Sequence, residues 1–307
     1  MHERLFTMKK IIVVLSALTS VFSAVAVILY RIFLRTDIEK FPGRIEPEDE
    51  KWLRSSNKKD IYLTSRDGLF LHGILLENSS IKTNNWVIAV HGYDGRADYM
   101  TGYGRKFLEM GYNVLMPDLR GFGLSEGKEI AMGQLEKYDI MCWIKKLTEE
   151  YNADKIVLFG ISMGAATVML TAGEKLPENV KCIIEDAGYS SVKEEFEHNI
   201  KKIVHIPPYP TLWIIDMITR LRRKWSVLKD ADCVKAVARN RLPIMFIHGS
   251  CDDFVPFEMQ DKLYEASCSE IKEKLVVYGA RHIESVVIDE ELYWNKVSAF
   301  LDRALRS

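Results

Sequence analysis

The sequence predicts an α/β fold with a mostly parallel sheet of eight strands, helices on both faces, and a helical insertion late in the chain. Short, uninterrupted apolar segments alternate with helical segments after residue 85, a pattern typical of parallel strands that are covered on both faces. A hairpin with partial alternation precedes them, and it adds two antiparallel strands. One long apolar segment near the amino terminus predicts a single transmembrane helix before the sheet.

The bulk properties are those of one large soluble-type domain attached to an apolar segment. The chain has 307 residues, of which 48% are hydrophobic and 28% are charged, and its net charge is −1. This balance gives no general attraction to nucleic acid. The five cysteines are odd in number and form no C-x-x-C pair, so neither a disulfide framework nor a metal site is expected.

Residues 11–34 read IIVVLSALTSVFSAVAVILYRIFL, with Arg31 as the one charge. About 20 apolar residues cross the hydrocarbon core of a bilayer, so we predict a single-pass anchor here, after a tail of residues 1–10. The alternative is a cleaved signal peptide, because Ala24-Val25-Ala26 resembles a cleavage site, but the apolar run continues past it. Basic residues flank both ends, which leaves open the side of the membrane that holds the domain.

A charged linker with two prolines is predicted over residues 35–59, and the α/β domain over residues 60–307. The hairpin covers residues 61–65 and 69–77. The later strands are predicted at 86–90, 113–117, 155–160, 180–186, 243–248 and 274–278, and the helices at 97–110, 135–151, 165–172, 258–268 and 292–304. The segment 190–241 is an insertion long enough to form a cap over the site.

The nucleophile is predicted from a G-x-S-x-G motif at residues 160–164. It stands directly between a strand and a small-residue helix start, a context that places the serine on a tight turn with its hydroxyl exposed. A second match lies at residues 123–127, but no helix begins there. We therefore predict Ser162 as the nucleophile and reject Ser125.

A serine nucleophile needs a base and an orienting acid, and both are expected beyond the carboxyl ends of the strands. His282 follows the last strand and is predicted as the base. The acid should fall between nucleophile and base, where Asp252 and Asp253 follow another strand, and spacing does not separate them. Asp186, at the end of an earlier strand, is a third candidate. His91 and His248 end strands before a glycine, where an imidazole commonly supports a loop.

An oxyanion hole needs two backbone N–H groups. The residue after the nucleophile, Met163, is predicted to supply the first. The segment His-Gly-Tyr-Asp-Gly at residues 91–95 follows an early strand, and Tyr93 is predicted to supply the second.

These motifs together resemble the α/β-hydrolase superfamily, in particular its serine aminopeptidase-like and bacterial esterase-like branches, over residues 59–305. The matching segments are HGYDG at 91–95, PDLRGFGLSEG at 117–127, GISMG at 160–164, HGSCDDFVP at 248–256 and GARH at 279–282. The resemblance implies the α/β-hydrolase fold, acyl transfer by a Ser-His-Asp triad without cofactor or metal, and Asp252 rather than Asp253 as the acid. It also implies a structural role for the loop that contains Ser125.

The insertion contains a segment in which Ile214, Ile218, Leu221 and Trp225 share one helical face, with a basic cluster at residues 220–224. This helix is predicted either to pack as a cap on the domain, or to lie on anionic lipid or admit an acyl chain. The sequence therefore predicts a membrane-anchored hydrolase of carboxylic esters, with a small-molecule or lipid-like acyl substrate and no nucleic-acid partner. A peptidase or amidase on the same triad is the alternative, and the complete triad argues against a non-catalytic binding protein.

Overall fold

The computed structural model describes residues 2–35 and 45–306, and within these ranges the chain forms one sheet of eight strands. The strands are β1 (Lys58–Thr64), β2 (Phe70–Leu76), β3 (Asn85–Val90), β4 (Asn113–Pro117), β5 (Lys155–Ile161), β6 (Val180–Asp186), β7 (Ile244–Gly249) and β8 (Lys272–Val277). Their order across the sheet is β1-β2-β4-β3-β5-β6-β7-β8. The β1–β2 and β2–β4 pairs are antiparallel, and the remaining pairs are parallel. The predicted mostly parallel, eight-stranded sheet is confirmed.

Helices cover both faces of the sheet. They are α1 (His2–Leu34), α2 (Pro47–Ser55), α3 (Thr101–Glu109), α4 (Glu136–Glu150), α5 (Met163–Ala172), α6 (Val192–Asn199), α7 (Thr211–Arg223), α8 (Cys233–Arg239), α9 (Glu258–Ala266), α10 (Ser285–Ile288) and α11 (Glu290–Ala304). Alternate residues of β5 enter opposite cores: Ile156 and Leu158 pack with α4 and α5, whereas Val157 and Phe159 pack with α3 and α11. Both faces of the strand are buried, so its sequence is an apolar run without alternation.

The insertion between β6 and β7 forms a helical cap. It contains α6, a π-helical turn (Ile200–Val204), α7 and α8. Leu212 and Ile215 of α7 are buried, whereas Trp213, Met217 and Leu221 are exposed. The predicted apolar face of this helix is therefore partly wrong, because Leu221 faces outward. Contacts with α1 and with the rest of the domain decide which side of α7 is buried. The sequence pattern of α7 alone does not contain this information.

Helix α1 packs its last turns on the domain through buried Ala26, Leu29, Tyr30 and Leu34. It begins at residue 2, so residues 2–10 of the predicted tail belong to the same helix. Within the described parts of the chain, we find no helix that combines the length and the apolar character needed to span a bilayer. The predicted anchor over residues 11–34 is thus not confirmed and stays a prediction.

Part of the predicted linker is helical. Residues 36–44 lie outside the described residues, and α2 follows them. This helix has a proline in its first turn together with Glu48, Asp49 and Glu50, and such residues favour a helix amino terminus. Leu53 packs into the core, and Arg105 of α3 pairs with Asp49 at 2.8 Å. The segment is therefore part of the folded domain.

Candidate active site

Ser162 lies on the turn between β5 and α5, with a backbone φ of 53° and ψ of −120°. Such a left-handed conformation costs energy for a residue with a side chain, and it persists because the surroundings impose it. The turn is so tight that a Cβ at position 160 would lie 2.3 Å from the carbonyl oxygen of Gly164. A Cβ at position 164 would lie 2.2 Å from the carbonyl oxygen of Val90. Only glycine fits at these two positions, which explains the motif spacing in physical terms.

The structure brings Ser162, His282 and Asp252 into one hydrogen-bonded line. Nε2 of His282 lies 2.9 Å from Oγ of Ser162, and Nδ1 of His282 lies 2.7 Å from Oδ2 of Asp252. With Nδ1–H donating to the carboxylate, Nε2 is left to accept the hydroxyl proton of the serine. Because the three residues come from the loops after β5, β7 and β8, the parallel strands themselves bring them to one edge of the sheet.

The carboxylate of Asp252 is held in place from several sides. Its Oδ1 accepts the backbone N–H groups of Phe254 at 3.0 Å and Val255 at 2.9 Å. Nε2 of His248 lies 3.2 Å from Oδ2 and 3.0 Å from the carbonyl oxygen of Val255. Burial opposes the charge, but the contacts with His248 and His282 outweigh it and lower the pKa of Asp252 below its ordinary value. The acid is thus ionised at neutral pH and fixes the histidine ring.

The loop at residues 91–95 lies directly against the nucleophile. A Cβ on Gly92 would be 3.1 Å from Cβ of Ser162. The close approach of this loop to Ser162 therefore favours a glycine, which has no side chain, at position 92. His91 holds the loop: its Nδ1 donates to the carbonyl of Gly92 at 2.7 Å, and its Nε2 accepts the N–H of Leu119 at 3.0 Å. Burial lowers the pKa of His91 and keeps the ring neutral in this arrangement. Met163 follows the nucleophile as the first residue of α5.

A cavity that is partly open to solvent adjoins Ser162. Its walls are almost entirely apolar and come from α1, the loop after β3, the cap and the loop after β7. The apolar lining residues are Leu29, Phe33, Tyr93, Met132, Met163, Tyr189, Phe196, Ile200, Ile215 and Phe254. A cavity with this lining suits an apolar group of a small molecule. No three His, Cys, Asp or Glu side chains among the described residues cluster to hold a metal ion.

Comparison with known proteins finds a family model, curated relatives and solved structures that this chain resembles. The family model described as serine aminopeptidase, S33, matches residues 82–230. The protein YqkD of Bacillus subtilis is 28% identical over 221 residues, which are 72% of each chain. The esterase Pf2001 of Pyrococcus furiosus is similar in structure, with a TM-score of 0.69 and 24% identity, over 87% of this chain and 97% of the esterase. The chain therefore has the α/β-hydrolase fold and resembles the serine hydrolases of that superfamily.

Two other candidate residues, Ser125 for the nucleophile and Asp253 for the acid, have contacts elsewhere. Ser125 is buried, and its Oγ donates to the carbonyl of Asp118 at 2.8 Å and accepts the N–H of His72 at 2.9 Å. Asp253 is exposed and pairs with Lys202 of the cap. Neither residue contacts the His282 ring.

Asp186, the third candidate for the acid, is buried at the end of β6. Its Oδ2 accepts the hydroxyl of Tyr293 at 2.9 Å, and its backbone carbonyl accepts the N–H of Ser162 at 2.8 Å. Burial raises the pKa of its carboxyl to about 6. Asp186 therefore supports the turn below the nucleophile, while Asp252 contacts the histidine.

Sequence reasoning missed Glu195 of the cap helix α6. Its side chain is buried in the cavity wall, where Nδ2 of Asn199 donates to Oε1 at 2.7 Å and Oε2 has no hydrogen-bond partner among the described residues. Burial, together with repulsion from Asp252, raises its pKa to about 8. A glutamate on the buried side of a cap helix would be the signal for such a residue. The sequence does not show which side of α6 is buried, so the signal could not be used.

Proposed function

We propose that this protein is a serine hydrolase that cleaves carboxylic esters with an apolar acyl group. The observation that carries the proposal is the hydrogen-bonded line from Asp252 through His282 to Ser162, which ends at an apolar cavity. A hydroxyl within reach of an oriented imidazole is the arrangement that makes serine nucleophilic at neutral pH.

In the proposed acylation step, Oγ of Ser162 attacks the ester carbonyl carbon as its proton moves to Nε2 of His282. The negative oxygen that forms accepts hydrogen bonds from the backbone N–H groups of Tyr93 and Met163. The tetrahedral intermediate then expels the alcohol, which takes the proton from His282, and the acyl group stays on the serine. Asp252 stabilises the imidazolium and holds its orientation throughout.

Deacylation repeats the sequence with water as the nucleophile. His282 takes a proton from the water as its oxygen attacks the acyl carbon, and the same two N–H groups stabilise the oxyanion. Return of that proton to Oγ of Ser162 releases the carboxylic acid and restores the enzyme.

The substrate class is argued from the cavity. Its lining side chains bring few polar atoms to the site, so the free energy of binding comes from burial of apolar substrate surface, about 25 cal/mol per Å². A hydrocarbon acyl chain offers such surface, whereas a polar group would leave its hydrogen bonds unmade. The likeness in structure to the esterase Pf2001 agrees with this class.

A fluorophosphonate probe tests the proposal on the detergent-solubilised full-length protein. We expect labelling of the wild type and of Ser125→Ala, the serine of the second G-x-S-x-G match, and none of Ser162→Ala. Labelling that survives Ser162→Ala would place the nucleophile elsewhere. A panel of p-nitrophenyl esters then measures turnover, and its absence in a labelled wild type would contradict the ester substrate.

A peptidase is the second candidate, and Glu195 is the observation that favours it. The unpartnered Oε2 in the cavity wall offers an acceptor for a substrate ammonium group, and that positive charge would restore ionisation of the carboxyl. Turnover of aminoacyl p-nitroanilides that is lost in Glu195→Gln would support a peptidase over an esterase. The family described as serine aminopeptidase agrees with this candidate.

We also propose that helix α1 attaches the enzyme to a membrane as a single-pass anchor, in which the part before Ala26 enters the bilayer and the last turns stay packed on the domain. The support is the apolar sequence that begins at residue 11 and the exposed apolar side chains of that part, among them Val13 and Val21. An anchor of this kind would hold the apolar cavity close to lipid-like substrates.

A further inference from the structure

The last turns of α1 form part of the wall of the substrate cavity. Leu29 and Phe33 line the same cavity as Ser162, although more than a hundred residues separate them from the nucleophile in sequence. Leu29 is 6% exposed, and the Phe33 ring lies 5.9 Å from the ring of Phe196, a cavity residue of the cap. The amino-terminal helix therefore closes a side of the cavity that the domain and cap leave open.

Hydrogen bonds to main-chain carbonyl groups of α1 fix this helix end to the domain. The Tyr93 hydroxyl donates to the carbonyl of Ile32 at 2.9 Å, and the N–H of Ile130 donates to the carbonyl of Leu34 at 3.0 Å. The first of these bonds comes from the residue whose N–H we assign to the oxyanion hole. The position of α1 is thus coupled to the loop beside the nucleophile.

One buried carboxylate ties the helix end to the cap. Glu129 accepts from Arg35, just after α1, at 3.3 Å, and from Arg222 and Arg223 of α7 at 2.9 and 2.6 Å. The side chain of Glu129 is 8% exposed, whereas those of Arg222 and Arg223 are 51% and 42% exposed, so the carboxylate is desolvated and the arginines stay in contact with solvent. Two arginines of the basic cluster of the cap are therefore paired with Glu129.

We infer that residues 26–35 are a specificity element: Leu29 and Phe33 contact the hydrocarbon chain of the acyl group and set the chain length that the enzyme accepts. This inference rests on the proposed ester hydrolase function and names its substrate class as esters with a hydrocarbon acyl chain. The cavity offers this chain apolar contact from α1 on one side and from Phe196 and Ile215 of the cap on another.

The test compares chain-length preference in the full-length protein. Leu29→Trp and Phe33→Trp reduce the cavity, so the ratio of kcat/KM for p-nitrophenyl octanoate to that for the acetate should fall at least tenfold. Leu29→Ala and Phe33→Ala enlarge it and should move the preference towards laurate. Ile28→Trp is the matched control, because Ile28 is an exposed neighbour on the same helix, and it should leave the ratio unchanged.

An unchanged ratio in both the enlarging and the reducing variants would overturn the inference, and so would an equal change in Ile28→Trp. Fluorophosphonates with an ethyl or a dodecyl chain separate this result from failure of the proposed function. If the wild type is labelled but hydrolyses no ester, the ester proposal fails. The ratio of dodecyl to ethyl labelling in the same variants then still shows whether Leu29 and Phe33 limit the length of the chain that the cavity accepts. If no probe labels Ser162, both proposals fail together.

Discussion

At the scale of single residues, Asp252 and Asp253 show what a sequence holds and what it leaves out. The two are adjacent and chemically identical, yet Asp252 is 5% exposed and contacts His282, while Asp253 is exposed and contacts Lys202. Consecutive residues of a loop point in different directions according to the turn, and the turn depends on tertiary contacts. Ser162 and His282 were easier to place, because strand ends of a parallel sheet share one edge.

The neighbouring aspartates also give a matched pair for testing the acid. Asp252→Asn removes the charge that fixes the tautomer and stabilises the imidazolium, so we expect kcat for p-nitrophenyl butyrate to fall about 10³–10⁴-fold. Asp253→Asn removes an exposed ion pair and should change kcat less than about threefold. Steady-state kinetics of both variants decide the matter. Equal losses, or a greater loss in Asp253→Asn, would reverse the assignment.

At the scale of elements, the strands were predictable and the segments around them were less so. The predicted strands 113–117 and 180–186 coincide with β4 and β6, because fully buried strands are short apolar runs with sharp ends. Helix α2 was hidden in a charged segment interpreted as linker, although Pro47 and three acidic residues are a start signal. The outward side of α7 was hidden too, because the face that a helix buries depends on its neighbours.

Helix α1 is the element whose role depends most on its surroundings. Its last turns bury Ala26, Leu29 and Leu34 on the domain, while Val27, Ile28 and Ile32 stay exposed and keep an apolar outer side. Such a side is stable in contact with lipid acyl chains and is costly in water.

We therefore expect the full-length protein to sediment with membranes after cell lysis and to stay there after a wash with alkaline carbonate. Detergent should release it. Immunoblotting of the fractions, with a known integral membrane protein and a known peripheral one alongside, makes the measurement. Release by carbonate alone would show peripheral attachment and contradict the single-pass anchor.

At the scale of the whole molecule, the sheet topology and the edge at which Ser162, His282 and Asp252 meet follow from the order of strands and helices. The shape and lining of the cavity do not follow from that order. Its wall combines α1, the loop after β3, the cap and the loop after β7, and a sequence does not state how segments so far apart pack together. Glu195, Leu29 and Phe33 escaped prediction for this reason, since each is an ordinary helix residue until the packing is known.

The packing also encloses carboxyl groups that should make the stability of the whole fold depend on pH. Burial raises the pKa of Glu185 and of Glu195 to about 8, compared with about 4.5 in an unfolded chain. At a pH between these two pKa values, the folded protein keeps protons that the unfolded chain has released. The free energy of unfolding therefore falls as the pH rises from about 5 to 8, by up to about 1.4 kcal/mol per pH unit for each such group.

Glu195→Gln removes one of these titratable carboxyl groups and keeps the size of the side chain. We expect its unfolding free energy, measured by denaturant titration at several pH values from 5 to 8.5, to fall less steeply with pH than that of the wild type. The exposed Glu258, changed to Gln, serves as the control and should reproduce the wild-type slope. Parallel slopes in Glu195→Gln and wild type would mean that Glu195 is already ionised in the folded protein, and such a charge in the cavity wall would favour an ammonium-bearing substrate over a hydrocarbon chain.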